Sequence, residues 1–149
     1  MSESMPRGCV RGLGETVLRV NDLAASKQFY EVRLRLELWR EFDGMAFFRL
    51  GDGYGGHTQI LGLFDCERPL SIPSDQRIVP AARASTLHHF AFEIDVADFE
   101  GEYRRLSDQG LSITTAIHRW CQWRSMYLHD PDGNTVELVC YDASIDVDD

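Results

Sequence analysis

Glu137 stands in the middle of "TVELVCYD", a run otherwise suited to core packing. Successive side chains of a strand point to opposite faces, so Val136, Leu138 and Cys140 share one face and Thr135 and Glu137 the other. The preceding "DPDGN" is a turn, in which Pro131 presets φ and Gly133 is free to take positive φ. Tyr127 and Glu137 are placed symmetrically about Asp132, and a hairpin folded there makes them near cross-strand neighbours. In "ETVLRV", Glu15, Val17 and Arg19 face away from Thr16, Leu18 and Val20; in "LHHFAFEI", His89, Ala91 and Glu93 face away from His88, Phe90, Phe92 and Ile94. Glu15, His89 and Glu137 thus come from three strands whose equivalent faces can converge. Two carboxylates and one imidazole suit a divalent metal ion of intermediate hardness: Fe, Mn, Zn, Ni or Co. Three protein ligands leave coordination positions open for water or for two substrate oxygens, as catalysis requires.

Each residue taken singly has an ordinary reading. Glu15 reads equally as a surface acid beside an arginine, His89 as a hydrogen-bonded core histidine, and Glu137 as a buried ion pair with Arg124 or Arg119. The last is rarer, because paired burial gains little net stability. At three equivalent positions together, the metal reading is the better one. Tyr127 borders the same face. His88, on the apolar face, reads as a packing residue, and His57 and His129, beside turns, as solvated ones. Trp120 and Trp123 in "HRWCQWRS" are core or aromatic pocket wall.

The elements that must position these groups form a pattern that occurs twice. "ETVLRV" is a strand, and "NDLAASKQFYEVRLRL" (21–36) a helix opened by a polar cap. "LELWREF", "MAFFRL" and "HTQILGLF" are three further strands between Asp-Gly and Gly-rich turns. After a proline-containing stretch without periodicity, "LHHFAFEI" is again a strand. "DVADFEGEYRRLSDQG" is a helix with Phe99, Tyr103 and Leu106 on one side and Gly110 as its stop, and the hairpin about Asp132 closes the unit. The expected organisation is a first βαβββ module at 11–64, a linker or lid at 65–85, a second βαβββ module at 86–142, and an acidic tail at 143–149. The fold class is α+β, with two modules forming curved mixed sheets around a metal-binding cup.

Composition narrows the partners. The 149 residues are 44% hydrophobic, enough for a packed core, and carry a formal net charge of −9 without a Lys/Arg cluster. That balance argues against nucleic acid and anionic membrane and for a small-molecule substrate. An anionic substrate would draw on Arg19, Arg49, Arg119 or Arg124. No apolar run reaches spanning length, "MSESMPRGCV" lacks a secretory h-region, and the four cysteines show no C-x-x-C spacing. A cytoplasmic protein with free thiols is expected.

The blocks "GLGETVLRVNDLAASKQFY", "LHHFAFEIDVADF" and "RSMYLHDPDGNTVELVCYD" resemble the signature blocks of the vicinal oxygen chelate superfamily, which includes glyoxalase I, bleomycin and fosfomycin resistance proteins, methylmalonyl-CoA epimerase and extradiol dioxygenases. The resemblance implies metal ligands at Glu15, His89 and Glu137. It places a fourth, glyoxalase-type acidic ligand near "QILGLF", where Gly62 is the match and offers no donor. Most members carry His or Gln where Glu15 stands. The helix-ending "L-G" of the family reads Leu34–Arg35 here, so that cap must be built differently. The extradiol branch has a tyrosine ten residues before its last glutamate and a histidine nine before that tyrosine, both lining the site; Tyr127 and His118 match those spacings. The linker holds no histidine to match that branch's base.

What the resemblance implies is a metal-dependent enzyme that binds a small substrate through two vicinal oxygens, with lyase or isomerase chemistry of the glyoxalase type through an enolate. Glu15 or Glu137 would serve as general base and Tyr127 as a catalytic neighbour, with His118, Arg124, Trp123 and Gly62 around the substrate. An Fe(II) extradiol ring-cleaving dioxygenase is the alternative, and a metal-free drug- or metabolite-binding resistance protein is a third. A homodimer is expected, with sites that family members commonly share between subunits.

Overall fold

The computed structural model describes residues 9–67 and 87–147. The chain divides into two compact units, Met1–Pro69 and Leu70–Asp149. Most of the expected linker lies outside the described residues.

In the first unit β1 (Glu15–Val20) leads to α1 (Leu23–Gln28), then β2 (Glu37–Phe42), β3 (Met45–Asp52) and β4 (Thr58–Asp65). Asp22 caps α1 by accepting the Ala25 N–H at 2.9 Å. The sheet order is β1-β4-β3-β2, with β1 parallel to β4 and the other pairs antiparallel. A parallel pair needs a crossover between its strands, here α1, β2 and β3. Leu18, Val20, Ala46, Phe48, Leu61 and Leu63 are buried on one sheet face together with Phe29 and Tyr30 from the helical segment. The Tyr30 and Phe48 rings meet at 6.3 Å between centroids. The opposite face carries Glu15, Val17 and Arg19, paired in register with Ile60, Gly62 and Phe64.

The helix expected over 21–36 is shorter and less regular. α1 passes into one π-helical segment, Phe29–Arg33, and Arg35 then takes φ +58°. The Leu36 amide donates to the Tyr30 carbonyl at 2.9 Å, which closes the helix end. Arg35 therefore does the work of the glycine that usually ends such helices.

The second unit repeats the order: β5 (Phe90–Glu93), a 3-10 turn at Val96–Asp98, α2 (Phe99–Asp108), β6 (Thr114–His118), β7 (Trp123–His129) and β8 (Thr135–Tyr141). Its sheet runs β5-β8-β7-β6, again with the first pair parallel and the others antiparallel. Phe99 and Leu106 from α2 are buried, as are Met126, Leu128, Val136, Leu138 and Cys140 on the helix-facing side of the sheet. Gly110 ends the helical region at φ +83°, and Gly133 takes φ +79° in the β7–β8 turn. Asp130 fixes that turn by accepting from the Asp132 and Asn134 amides and from the Asn134 side chain.

Two mixed four-stranded sheets, each carrying one main helix, make the chain α+β as expected. β5 is shorter than "LHHFAFEI", since its ladder begins with Phe90 opposite Val136. His88 is exposed and not the packing residue its alternation suggested. The alternation argument fails there because it needs the strand to have started. Among the described residues no helix is long and apolar enough to cross a membrane.

Candidate metal and substrate site

The register of the second sheet puts Ala91 opposite Glu137 and Glu137 opposite Tyr127. Ser125, paired with Ala116 and Val139, lies on the same face. Glu137 is 5% exposed, a burial that a carboxylate tolerates only with partners. Its partners include the Ser125 hydroxyl, which donates to its Oε1 at 2.5 Å, and His89, whose Nε2 lies 3.1 Å from its Oε2. Arg124, the alternative partner read from the sequence, is elsewhere. It pairs with Cys140 on the helix-facing side, stacks over the Phe99 ring at 4.7 Å, and binds Glu100 at 3.1 Å and Asp142 at 3.8 Å.

His89 reaches this site from just before β5. Its Nδ1 lies 2.7 Å from Nδ1 of His88, so the two ring nitrogens have separate partners, one on each side. With the proton on Nε2, His89 donates to Glu137; with the proton on Nδ1, Nε2 offers a lone pair beside Oε2. In the second tautomer the His88 contact is the second hydrogen bond that imidazole ligands usually make.

Two donors on one ion at about 2.0–2.2 Å stand roughly 2.8–3.6 Å apart for right-angled to tetrahedral geometry. The His89–Glu137 separation of 3.1 Å fits that spacing. Among the described residues no group of three His, Cys, Asp or Glu side chains is gathered for a metal ion; His89 and Glu137 stand together as a pair.

Next to them, Tyr127 OH lies 2.9 Å from His118 Nε2, and its ring meets that of His89 at 6.2 Å, nearly perpendicular. Small residues make the reach possible: Ala116 and Ser125 face each other between the two side chains. Burial pushes the Tyr127 phenol above its ordinary pKa, opposed in part by hydrogen bonding with Ser125 and reinforced by Glu137. Trp123, paired with His118 and Tyr141, belongs to this face and is 43% exposed, while Trp120 is 74% exposed at 6.3 Å from it. Both are surface residues and not core. His129 is exposed, as expected.

In the first unit, Glu15 is exposed at the start of β1. The internal registers make it the counterpart of His89: Val17 pairs with Gly62 as Ala91 pairs with Glu137. Gly62 thus holds the place of Glu137. A Cβ there would come within 3.2 Å of Val17 Cγ2 and 3.3 Å of the Phe47 ring, so no ligand-bearing side chain fits without rearrangement. A hollow of about 580 Å³ in this unit is lined by residues that include Arg11, Tyr54, His57 and Gln59, and Glu15 is not among them.

Ser125 is not singled out by the sequence reading, and His88 reads there only as a packing residue. For Ser125 the signal was present: a small polar residue alternating with Met126 in a buried strand, in phase with Tyr127. For His88 there was none, because its role follows from where the ladder begins.

Paired βαβββ units with mixed four-stranded sheets define a protein of glyoxalase-like fold. The chain belongs to the Glyoxalase/Bleomycin resistance protein/Dioxygenase superfamily, whose profile matches residues 12–138. It is 30% identical to the glutathione transferase FosA of Serratia marcescens over 87% of this chain and 80% of that protein. It is 27% identical to the metallothiol transferase FosB of Staphylococcus saprophyticus over 87% and 76%. Among solved structures, lactoylglutathione lyase from Agrobacterium tumefaciens superposes with a TM-score of 0.65 at 28% identity, covering 89% of this chain and 96% of that one.

Proposed function

We propose that the chain is a metal-dependent enzyme whose small substrate binds through two vicinal oxygens, with Glu15, His89 and Glu137 holding one divalent ion. The observation that carries this reading is the convergence of His89 Nε2 and Glu137 Oε2 at 3.1 Å, on a buried carboxylate already oriented by Ser125. The donor set suits Fe, Mn, Zn, Ni or Co. Bound there, the ion would supply Lewis acidity to the substrate oxygens. Similarity to proteins named metallothiol transferase and lactoylglutathione lyase supports metal and small-molecule chemistry.

The chain's own residues divide the remaining work. Glu137 is tied by Ser125 and His89 and serves as a fixed ligand. Glu15 is exposed at a strand start and is the better placed of the two acids to move a proton from carbon beside a carbonyl, the step that leads to an enolate. Tyr127, kept protonated, donates a hydrogen bond to oxygen that gains negative charge. This is lyase or isomerase chemistry. Ring cleavage of a catechol is the second reading, favoured by the His118–Tyr127 contact at the spacing of the extradiol branch.

Elemental analysis of protein purified without chelators tests the reading. The expected result is a bound divalent metal that Glu137→Ala and His89→Ala both lose while remaining folded. Failure of the wild type to retain or take up any such metal leaves the metal-free binding protein as the better account. Oxygen consumption with a catechol separates the dioxygenase from the lyase or isomerase.

A further inference from the structure

We infer, resting on that metal-site reading, that Ser125 is a positioning residue: it holds Oε1 of Glu137 and leaves Oε2 alone to the ion, so that Glu137 ligates through one oxygen. Ser125 is fully buried, and its flanking partners in register, Ala116 and Val139, offer no side-chain hydrogen-bonding group. Its hydroxyl donates to Glu137 Oε1 at 2.5 Å, a short bond at the lower end of hydroxyl–oxygen distances. The other oxygen faces His89 Nε2 at 3.1 Å. The two oxygens therefore have different environments before any ion arrives, and turning the carboxylate to present both would break the Ser125 bond and leave a buried hydroxyl without that acceptor. Tyr127 is the cross-strand neighbour of Glu137 in register.

A carboxylate held in this way meets the ion with its orientation already fixed, and outer partners of this kind change metal affinity by roughly 10–100-fold. One-oxygen ligation also keeps a coordination position open that a two-oxygen carboxylate would fill. Ser125 is thereby a determinant of how many substrate oxygens the ion accepts.

The test uses Co(II) with the full-length protein at one fixed pH. Its affinity is read by calorimetry, and its coordination number by the intensity of its visible ligand-field bands, which weaken as coordination number rises. Ser125→Ala is expected to bind Co(II) about 10–100-fold more weakly and to show weaker bands when saturated, as the released Oε1 joins the ion. Ser125→Thr and Ser125→Val are compared as a second pair. They have the same shape and both suit a strand, so packing effects are common to them, and only the hydroxyl differs. Thr is expected to keep the wild-type spectrum, and Val to lose affinity as Ala does. Equal affinities and spectra for the Thr and Val variants overturn the role of Ser125 while leaving the metal site intact. A wild-type chain that takes up no Co(II) overturns the metal reading itself, and this inference with it.

Discussion

The His118 imidazole and the Tyr127 hydroxyl lie 2.9 Å apart, Nε2 to oxygen, on the same sheet face as Glu137. Burial keeps the phenol above its ordinary pKa, so it carries its proton throughout the neutral range and is a donor there. His118 fixes the direction of that hydroxyl. Tyr127→Phe is accordingly expected to lower kcat by about 10²-fold with the substrate that gives turnover, with metal content unchanged. Steady-state kinetics beside elemental analysis check it. A variant that lost the metal would show Tyr127 to be a structural support of the ligands.

A second prediction concerns Glu15. β1 and β5 each lie at the end of their sheet order, and each thus presents an edge unpaired within its own sheet. Val17 is 43% exposed on the β1 face that bears Glu15. Twofold pairing of chains would cover such surfaces, so a homodimer is expected in solution. If Glu15 joins His89 and Glu137 of the other chain, mixing inactive Glu15→Ala and Glu137→Ala dimers under subunit exchange restores one intact site per heterodimer. Activity recovered on mixing is the expected result. A monomer by light scattering rules out the shared version and requires Glu15 to act within its own chain.

A third prediction is acid sensitivity at the end of β8. The Ser144 hydroxyl at 2.5 Å and the Ser144 amide at 3.0 Å hold the Asp142 carboxyl below its ordinary pKa, with a smaller contribution from Arg124. A carboxyl depressed in the folded state binds fewer protons there than in the unfolded chain. Its stabilisation is present above the unfolded pKa, near 3.8, and is lost as pH falls through the lower folded value. Asp142→Asn should unfold at lower urea than the wild type at pH 7, and the two midpoints should converge as pH falls below 3.8 and through the lower folded value. A gap that persists undiminished in acid would assign the difference to packing and not to charge.

Much of this arrangement was legible because alternation is a strong signal in half-buried strands. β1 runs from Glu15 to Val20 as read, and Tyr127 faces Glu137 because a turn centred on Asp132 leaves no other register. The same rule puts Arg124 in phase with Met126 and Leu128, on the helix-facing side, against its expected place beside Glu137 and the substrate. What alternation cannot give is the point at which a ladder starts, which decided His88, or a helix end made without glycine. Leu34, Arg35 and Leu36 continue a helical pattern in composition; the family resemblance marks Arg35 as the cap position, and the backbone shows how it is built, with Arg35 at φ +58°. The His118–Tyr127 contact was readable from family spacing alone, because Thr114, and not His118, is the register partner of Tyr127.

Arg35 also allows backbone strain to be weighed against side-chain bonds. Arg35 at φ +58° and Gln122 at φ +59° are the two non-glycine residues with positive φ among those described. A left-handed conformation costs an L-residue about 1–2 kcal/mol, and glycine avoids it while losing about 0.5–1 kcal/mol through the freedom of the unfolded chain. Arg35→Gly is therefore expected to stabilise by about 0.5–1 kcal/mol, raising Tm by about 1–4 °C. Gln122→Gly gains the same backbone relief but gives up more. The Gln122 amide donates to the Ile145 carbonyl at 2.9 Å and accepts from the Tyr141 hydroxyl at 2.8 Å, and these bonds tie the end of β8 to the turn before β7. At about 1 kcal/mol each they outweigh the strain, so this substitution should lower Tm. Thermal melts of the two variants are expected to shift in opposite directions. Shifts of the same sign would mean that the Gln122 side-chain bonds contribute less than the backbone conformation costs, or that the Arg35 side chain holds the helix end by contacts of its own.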